Sequence, residues 1–316
     1  MSFPTDEAAF TAAAEPHRRE LRVHCYRMLG SFEEAEDLVQ ETYLRAWRRR
    51  DTFAGRSTFR AWLYRIATNA CLDALAKRPR TPAGGEVPWL QPFPDELLDQ
   101  VPADALGPDA EVVAKETIEL AFMVAIQHLP PRPRAVLILR DVLGWSAKDT
   151  ATLLDMSVPA ANSALQRARG ALQEHLPERR LEWSAGEDAT TAERALVARY
   201  VEANERGDLQ ALAAMLAEDA RFTMPPQPGL YLGRDRIAAA WSEGGFGSEE
   251  LGDFRCLPTR VNRQPAVACY LRRPGEDEFA ALALDVLRIA GGEIADVTAF
   301  EAEFVFPPLG LPPVLP

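Results

Sequence analysis

Little in this sequence supports chemistry at a metal, a disulfide or a membrane. Only four cysteines occur in 316 residues. Cys25, Cys71, Cys256 and Cys269 lie far apart with no C-x-x-C pair, so the expectation is reduced, partly buried thiols, with no zinc site and no disulfide framework. There are four histidines, none of them after His175. No apolar run approaches the roughly 18 residues that span a bilayer, which excludes a membrane-spanning protein. The start, Met1-Ser-Phe-Pro-Thr-Asp-Glu, lacks the basic and apolar segments of a secretory signal, so the expected location is the cytoplasm. Lysine is nearly missing: of 35 basic residues only Lys77, Lys115 and Lys148 are lysine, and the other 32 are arginine.

What remains is a chain with 47% hydrophobic and 26% charged residues, long enough for two or three domains that each bury a core. The net charge of -12 argues against nucleic acid until it is divided along the chain, because a protein's field acts locally. Residues 1–78 carry a net +2, 79–131 carry -7, 132–180 carry +3 and 181–316 carry -10; within the first block, residues 42–78 hold nine basic side chains against Asp51 and Asp73. Two basic segments therefore flank an acidic one, and an acidic domain follows.

Residues 79–110 contain seven prolines and the pair Gly84-Gly85, a density that no helix or central strand tolerates, so this stretch reads as a linker. A second, short polar break falls at 182–190. The tail from Pro307 is too rich in proline for helix and is expected to be extended, either loose or lying on an apolar groove.

The first block reads as helix throughout. Ser31 followed by Glu34 matches a capping box, and the helix it opens carries Glu33, Glu34, Glu36, Asp37 and Glu41 early and Arg45, Arg48, Arg49 and Arg50 late, which suits the helix dipole at both ends. Leu38, Val39, Thr42 and Ala46 line one face. Gln40, Glu41, Leu44 and Trp47 fall partly on other faces, within a partner's reach. Ser57 is expected to cap a further helix with a core stripe of Phe59, Trp62, Leu63, Ile66 and Ala70, its opposite side showing Arg60, Tyr64, Arg65, Thr68, Asn69 and Asp73. Arginine beside Phe53, Phe59, Trp62 and Tyr64 offers cations for phosphate and rings for unstacked bases, as single-stranded DNA requires. Aromatics at this spacing equally serve as core, and an arginine-rich face is often merely solvated, so this segment leaves both readings open.

The stretch from Gly144 to Arg169 is more specific. Ser146 caps a short helix from Ala147 to Leu154, a tight turn follows, and a second helix opens at Ser157 with Pro159 in its first turn, a helix-turn-helix pattern. Val158, Ala161, Leu165, Ala168 and Leu172 recur at steps of three and four and are expected to be buried. Pro159, Ala160, Asn162, Ser163, Gln166, Arg167 and Arg169 are left exposed. Asn and Gln pair with adenine and Arg with guanine or phosphate, while small residues let the helix enter a major groove closely. A plain helical hairpin with a polar face is the competing reading.

Taken together, Ser31-Phe-Glu-Glu-Ala-Glu-Asp-Leu-Val-Gln-Glu-Thr-Tyr-Leu-Arg-Ala-Trp, Ser57-Thr-Phe-Arg-Ala-Trp-Leu-Tyr-Arg-Ile-Ala-Thr-Asn-Ala-Cys-Leu-Asp and Leu129-Pro-Pro-Arg-Pro-Arg-Ala-Val-Leu-Ile-Leu-Arg-Asp-Val-Leu-Gly-Trp-Ser resemble a bacterial extracytoplasmic-function sigma factor of the sigma-70 family, over residues 8–176. The resemblance implies a multidomain chain: an all-α sigma region 2 domain at 1–79, a proline-rich acidic linker at 80–115, and an all-α region 4 helix-turn-helix domain at 116–180. It implies that Asp37, Leu38, Gln40, Glu41, Leu44 and Trp47 dock on core RNA polymerase. It further implies that Phe53, Arg60, Trp62, Tyr64, Arg65, Asn69 and Asp73 melt and hold the minus-ten promoter element. Ser157, Pro159, Ala160, Asn162, Ser163, Gln166, Arg167 and Arg169 would read the minus-thirty-five element as duplex. The linker would thread toward the polymerase RNA channel. No catalytic residue, cofactor, metal or membrane contact is implied.

Residues 190–316 exceed a minimal sigma factor. A helix around Leu196, Val197, Tyr200 and Val201 leads through Glu205-Arg-Gly-Asp to a second helix, a strand at Ala220-Arg-Phe-Thr-Met-Pro-Pro and a helix from Gly233. Arg273-Pro-Gly-Glu and Ala290-Gly-Gly-Glu then join strands near 267–272, 278–289 and 294–304. This order resembles the SnoaL-like polyketide cyclase domain, an α+β cone around a pocket. Asp285 and Asp296 are its candidate acid–base groups, but alternation alone does not place them inward, and no histidine is at hand. The expected role is regulatory: contact between this acidic domain and the sigma domains, with a small-molecule ligand able to shift it. A ligand-responsive helix-turn-helix repressor or activator is the alternative, though it leaves the first 78 residues unexplained; a small-molecule cyclase or isomerase would explain only the last third.

Overall fold

The computed structural model describes residues 6–53, 55, 58–78, 90–98, 120–175, 190–225, 227 and 229–316. Ser57, the rest of the 80–115 segment and the 182–189 break lie outside the described residues. The chain forms two compact units, residues 1–87 with 96–181, and residues 88–95 with 182–316.

The first unit is helical because local caps punctuate a 3.6-residue apolar pattern. Asp6 accepts from the Ala9 N–H at 2.8 Å to start α1 (Glu7–Ala14). Helix α2 (Arg18–Leu29) stops at Gly30, whose φ of 77° is the left-handed conformation that glycine tolerates, and whose N–H closes on the Tyr26 carbonyl. Ser31 then accepts from the Glu34 N–H and opens α3 (Phe32–Arg48). Helix α4 (Phe59–Lys77) is capped by Thr58, which accepts from the Ala61 N–H. The cap expected at Ser57 thus falls one residue later. Arg134, 4% exposed, donates to the carbonyls of Met28, Gln127 and Leu129 and to the Gln127 side chain, so one buried guanidinium joins α2 to the helices Leu120–Gln127 and Pro131–Leu137. Burial pushes its pKa down to about 9.

The second unit opens with a full capping box, in which Thr190 and Glu193 each bond the other's backbone N–H, ahead of the helix Thr191–Glu205. After the helix Leu209–Met215, strand β1 (Leu216–Thr223) starts four residues before the sequence expectation. With β2 at Leu230–Leu232, β3 at Asp253–Val261, β4 at Gln264–Arg272, β5 at Phe279–Ala290 and β6 at Glu293–Glu301, the sheet runs β2-β1-β6-β5-β4-β3, with β1 parallel to β6 and the other neighbours antiparallel. Strands β2 and β3 were not anticipated, the first because it is three residues long and the second because Arg255, Pro258 and Arg260 interrupt its alternation. The run to Phe304 ends as a helical turn, Ala302–Val305. The tail is not loose: its Val314–Leu315 pair, β7, adds to β5.

The 90–95 segment belongs to this second unit. All six of its residues are buried. Phe93 and Asn262 exchange hydrogen bonds, the Phe93 N–H donating to the Asn262 side chain at 2.7 Å and the Asn262 N–H to the Phe93 carbonyl at 3.0 Å. Asp95 accepts from the Arg263 N–H at 2.8 Å, and Gln91 donates to the Phe304 carbonyl. The partners of Phe93 and Asp95 sit at the β3–β4 turn, where Asn262 and Arg263 both have positive φ (53° and 62°), the primed geometry that tight hairpins need.

Candidate nucleic-acid interface and C-terminal cavity

In the helix-turn-helix, Ser146 caps the helix Ala147–Leu153 by accepting from the Asp149 N–H. The turn passes through Asp155 at a φ of 51°, a left-handed conformation that Asp tolerates better than most residues. Ser157 accepts from the Ala160 N–H at the start of the helix Val158–His175. Ala161, Ala164, Leu165 and Ala168 are buried. Ser157, Pro159, Ala160, Asn162, Ser163, Gln166, Arg167 and Arg169 are all exposed. Val158 departs from expectation: at 37% exposed it stands in the first turn, before the helix has reached its neighbour. Leu172 is half-buried. Arg169 pairs with Asp141 through both Nε and Nη2, which raises its pKa and fixes its direction.

On α3, Ala35, Val39, Thr42 and Ala46 face inward. Asp37 and Gln40 are exposed, Leu44 is 51% exposed, and Leu38, Glu41 and Trp47 are half-buried. An exposed leucine flanked by carboxylates and amides is a surface that a protein partner can desolvate. Trp47 rests against Phe10 and under the Arg50 guanidinium. Arg45 ties Glu41 to Asp73, at 2.8 and 2.7 Å, and so connects this face to α4.

The α4 face is only partly as expected. Arg65, Asn69 and Asp73 are exposed, while Phe53, Arg60 and Trp62 are half-buried. Phe53, Phe59 and Trp62 stack on one another with centroids 5.4 to 5.9 Å apart. Tyr64 corrects the reading, since it is 1% exposed. Its ring lies between His24 and Trp145, and its hydroxyl donates to Glu20. Thr68 is likewise buried, within 2.9 Å of His24 Nε2; burial holds His24 neutral, its pKa lowered to about 3. The helix is covered on a second side because α2 and the Trp145 loop both pack on it. Glu20 also takes Arg60 at 2.6 Å and His17 at 2.6 Å.

The second unit holds a half-open cavity of about 290 Å³ between its helices and the sheet. Of the two candidate carboxylates, Asp285 lines it and Asp296 does not, being paired with Arg288. Asp285 Oδ2 accepts from the Tyr200 hydroxyl at 2.9 Å and lies 3.6 Å from Cys269 Sγ. Burial pushes its pKa up to about 6. Cys256 and Cys269 are cross-strand partners with sulfurs 3.7 Å apart, and all four cysteines are buried free thiols. The walls carry Phe222, Trp241, Phe246, Phe254 and Phe300. No group of three or more metal-ligating side chains occurs among the described residues, and no described helix is long and apolar enough to cross a membrane.

Two helical DNA-facing modules followed by a helix-and-sheet cone define a sigma-type initiation factor with a SnoaL-like extension. The comparisons agree: Sigma-70 region 2 matches residues 13–81, Sigma-70, region 4 matches 119–172, and the SnoaL-like domain matches 197–297. The chain is 42% identical to the ECF RNA polymerase sigma factor SigG of Mycobacterium tuberculosis, over 98% of this chain and 86% of that one. It is 31% identical to SigW of Bacillus subtilis over 54% of this chain and 90% of that one. The crystal structure of Mycobacterium tuberculosis SigJ shares the fold, with a TM-score of 0.61 and 24% identity over 96% of this chain and all of that one. The chain belongs to the extracytoplasmic-function sigma factors of the sigma-70 family.

Sequence reasoning missed Glu20, Arg134 and Trp145, each of which has a partner 40 residues or more away in the chain, Arg60, Met28 and Tyr64 respectively. It also missed that Tyr200 and Cys269 would converge on Asp285. The one available signal was that Cys269 and Asp285 sit in strands joined by a tight turn.

Proposed function

We propose that the exposed face of the Val158–His175 helix reads the minus-thirty-five element through Asn162, Ser163, Gln166 and Arg167, with Ser157, Pro159, Ala160 and Arg169 setting its approach. Leu44 is the apolar centre of the core-polymerase surface, ringed by Asp37, Leu38, Gln40, Glu41 and Trp47. Phe53, Arg60, Trp62, Arg65, Asn69 and Asp73 serve the minus-ten element, and Tyr64 joins them only once Trp145 moves away. The domain division into 1–79, 80–115, 116–180 and 190–316 carries these roles in order. The C-terminal domain makes and breaks no bonds; it modulates initiation, and its cavity takes a small molecule. Chain held by the second unit is not free to thread into polymerase, so docking of the 90–95 segment restrains initiation.

The observation behind this last reading is the burial of all six residues of that segment against the β3–β4 turn. Asn262→Gly keeps the positive φ that glycine accepts and deletes the acceptor of the Phe93 N–H, a loss of about 1 to 3 kcal/mol. In run-off transcription with core polymerase on a genomic promoter library, the full chain gives defined transcripts and Asn262→Gly raises their yield severalfold. Absence of transcripts, with specific DNA binding by the chain alone, would replace the sigma reading by a repressor. Unchanged yield from Asn262→Gly would leave the sigma function and remove the restraint.

A further inference from the structure

We propose that the C-terminal cavity is a site for a small organic cation, a ring-bearing amine, whose ammonium group is taken by Asp285. The inference rests on the reading that the cavity takes a small molecule, and it specifies which chemistry that molecule carries.

The volume of about 290 Å³ lies at the low end of ligand pockets, enough for a one- or two-ring compound. Six aromatic side chains, Tyr200, Phe222, Trp241, Phe246, Phe254 and Phe300, contribute to its lining. Two carboxylates do so as well, Asp285 and Glu301, and no Lys, Arg or His is among the lining residues. Among the described lining residues the charge distribution is one-sided, since an entering anion meets two negative groups and no positive side chain. A cation meets the carboxylates and the negative faces of the rings together.

Asp285 is also poised to accept one more hydrogen bond. Its contacts with the Tyr200 hydroxyl and the Cys269 thiol both go to Oδ2, and the residue lines the cavity, so Oδ1 remains to accept from a ligand. Glu301 Oε1 accepts from Gln227 Nε2 at 2.8 Å, so Gln227 holds the second carboxylate in place. The arrangement is a fixed acidic end and an aromatic body. At neutral pH most Asp285 side chains are ionised, given a pKa of about 6, and a bound ammonium lowers that value further. A neutral ring compound fills the same walls but leaves Oδ1 unpaired, which weakens it relative to the amine.

Three indoles of nearly one shape and different charge separate the outcomes: tryptamine, 3-ethylindole and indole-3-propionate, titrated calorimetrically into the full chain at pH 7.5. Tryptamine is expected to bind at least tenfold more tightly than 3-ethylindole, and indole-3-propionate not to bind. Asp285→Asn removes the tenfold preference and leaves 3-ethylindole unchanged. If 3-ethylindole or indole-3-propionate binds as well as tryptamine, the cavity is a ligand site but the amine assignment is wrong. If none of the three binds, the ligand-site reading itself falls for compounds of this size, and the amine assignment with it. Should Asp285→Asn fail to fold, the charge series on the unaltered chain still decides, and Glu301→Gln, at an exposed residue, tests the acidic end with an expected threefold to tenfold loss of tryptamine affinity.

Discussion

The Val158–His175 helix and α4, the two helices proposed to face promoter DNA, differ in how far their polar faces are open. Every expected reading residue of the Val158–His175 helix faces solvent, and only Arg169 is committed to an ion pair. α4 is less open: Arg65 and Asn69 face solvent, but Tyr64 is buried, Arg60 is held by Glu20, and Asp73 by Arg45. Duplex can be read by a rigid helix presented whole, because its donors and acceptors already lie in the groove. Holding an unstacked base needs rings that open to receive it. If α4 holds the melted strand as proposed, its partly closed face means that the factor meets duplex before it can hold that strand.

Arg134 ties α2, which packs on α4, to the helices ahead of the Trp145 loop. Its guanidinium serves three main-chain carbonyls and one amide while almost fully buried. Arg134→Met removes these donors and strands buried carbonyls, a loss on the order of 3 kcal/mol. The helices around it should separate from α2, seen as a larger radius of gyration in small-angle scattering and a lower melting temperature. An unchanged radius would show that the closure is held elsewhere, and the contrast between the two helices would lose its structural cause.

The open helix is tested next. Gln166→Ala and Arg167→Ala should each weaken minus-thirty-five-dependent transcription by about 1 to 3 kcal/mol, or roughly 5- to 150-fold. Loss at Gln166 should be confined to particular base pairs. An equal loss on all promoters would make these residues phosphate contacts, and the helix would position the protein without reading sequence. Trp145→Ala sharpens the comparison from the other side. It removes the ring 5.6 Å from Tyr64, a contact worth about 1 kcal/mol, and should raise the affinity of the polymerase-bound factor for a minus-ten single strand severalfold. A fall in affinity would mean that Trp145 supports the site.

How far the sequence was legible follows the same division. The helix-turn-helix could be read residue by residue because its information is local: Ser146 and Ser157 cap, Asp155 turns, and Ala161, Leu165 and Ala168 recur on one face. The face of α4 could not, because a period of 3.6 identifies one buried stripe and says nothing about a second neighbour. Tyr64 falls off the stripe and is covered by residues from two distant segments. In the C-terminal domain the glycine turn at Gly291-Gly292, with φ of 62° and 81°, was legible from composition. The inward direction of Asp285 was not legible because Leu284, Val286 and Leu287 are all buried, so both faces of β5 are covered and alternation does not single one out. The docking of the 90–95 segment was hidden for the opposite reason, since proline-rich chain was read as spacer and its partner turn lies 169 residues away.

Glu20 gives the smallest and most selective test. Burial raises its carboxyl pKa, but the hydrogen bonds from His17 and Arg60 outweigh that, and the net shift is downward. A carboxylate whose folded pKa is lowered stabilises the fold above its unfolded pKa of about 4.3, and that contribution is lost as pH falls through the folded value. Glu20→Gln should therefore lower the stability at pH 7 by about 1 kcal/mol, seen as a slightly lower melting temperature, and the gap from the unaltered chain should close below about pH 4. Arg60 and Tyr64 lose a charged partner in the variant, so its α4 face should also take a minus-ten single strand more readily, by about twofold to fivefold. A persistent gap at low pH would locate the effect in packing around α2, and α4 would then be closed by shape alone rather than by an ion pair that promoter phosphate can replace.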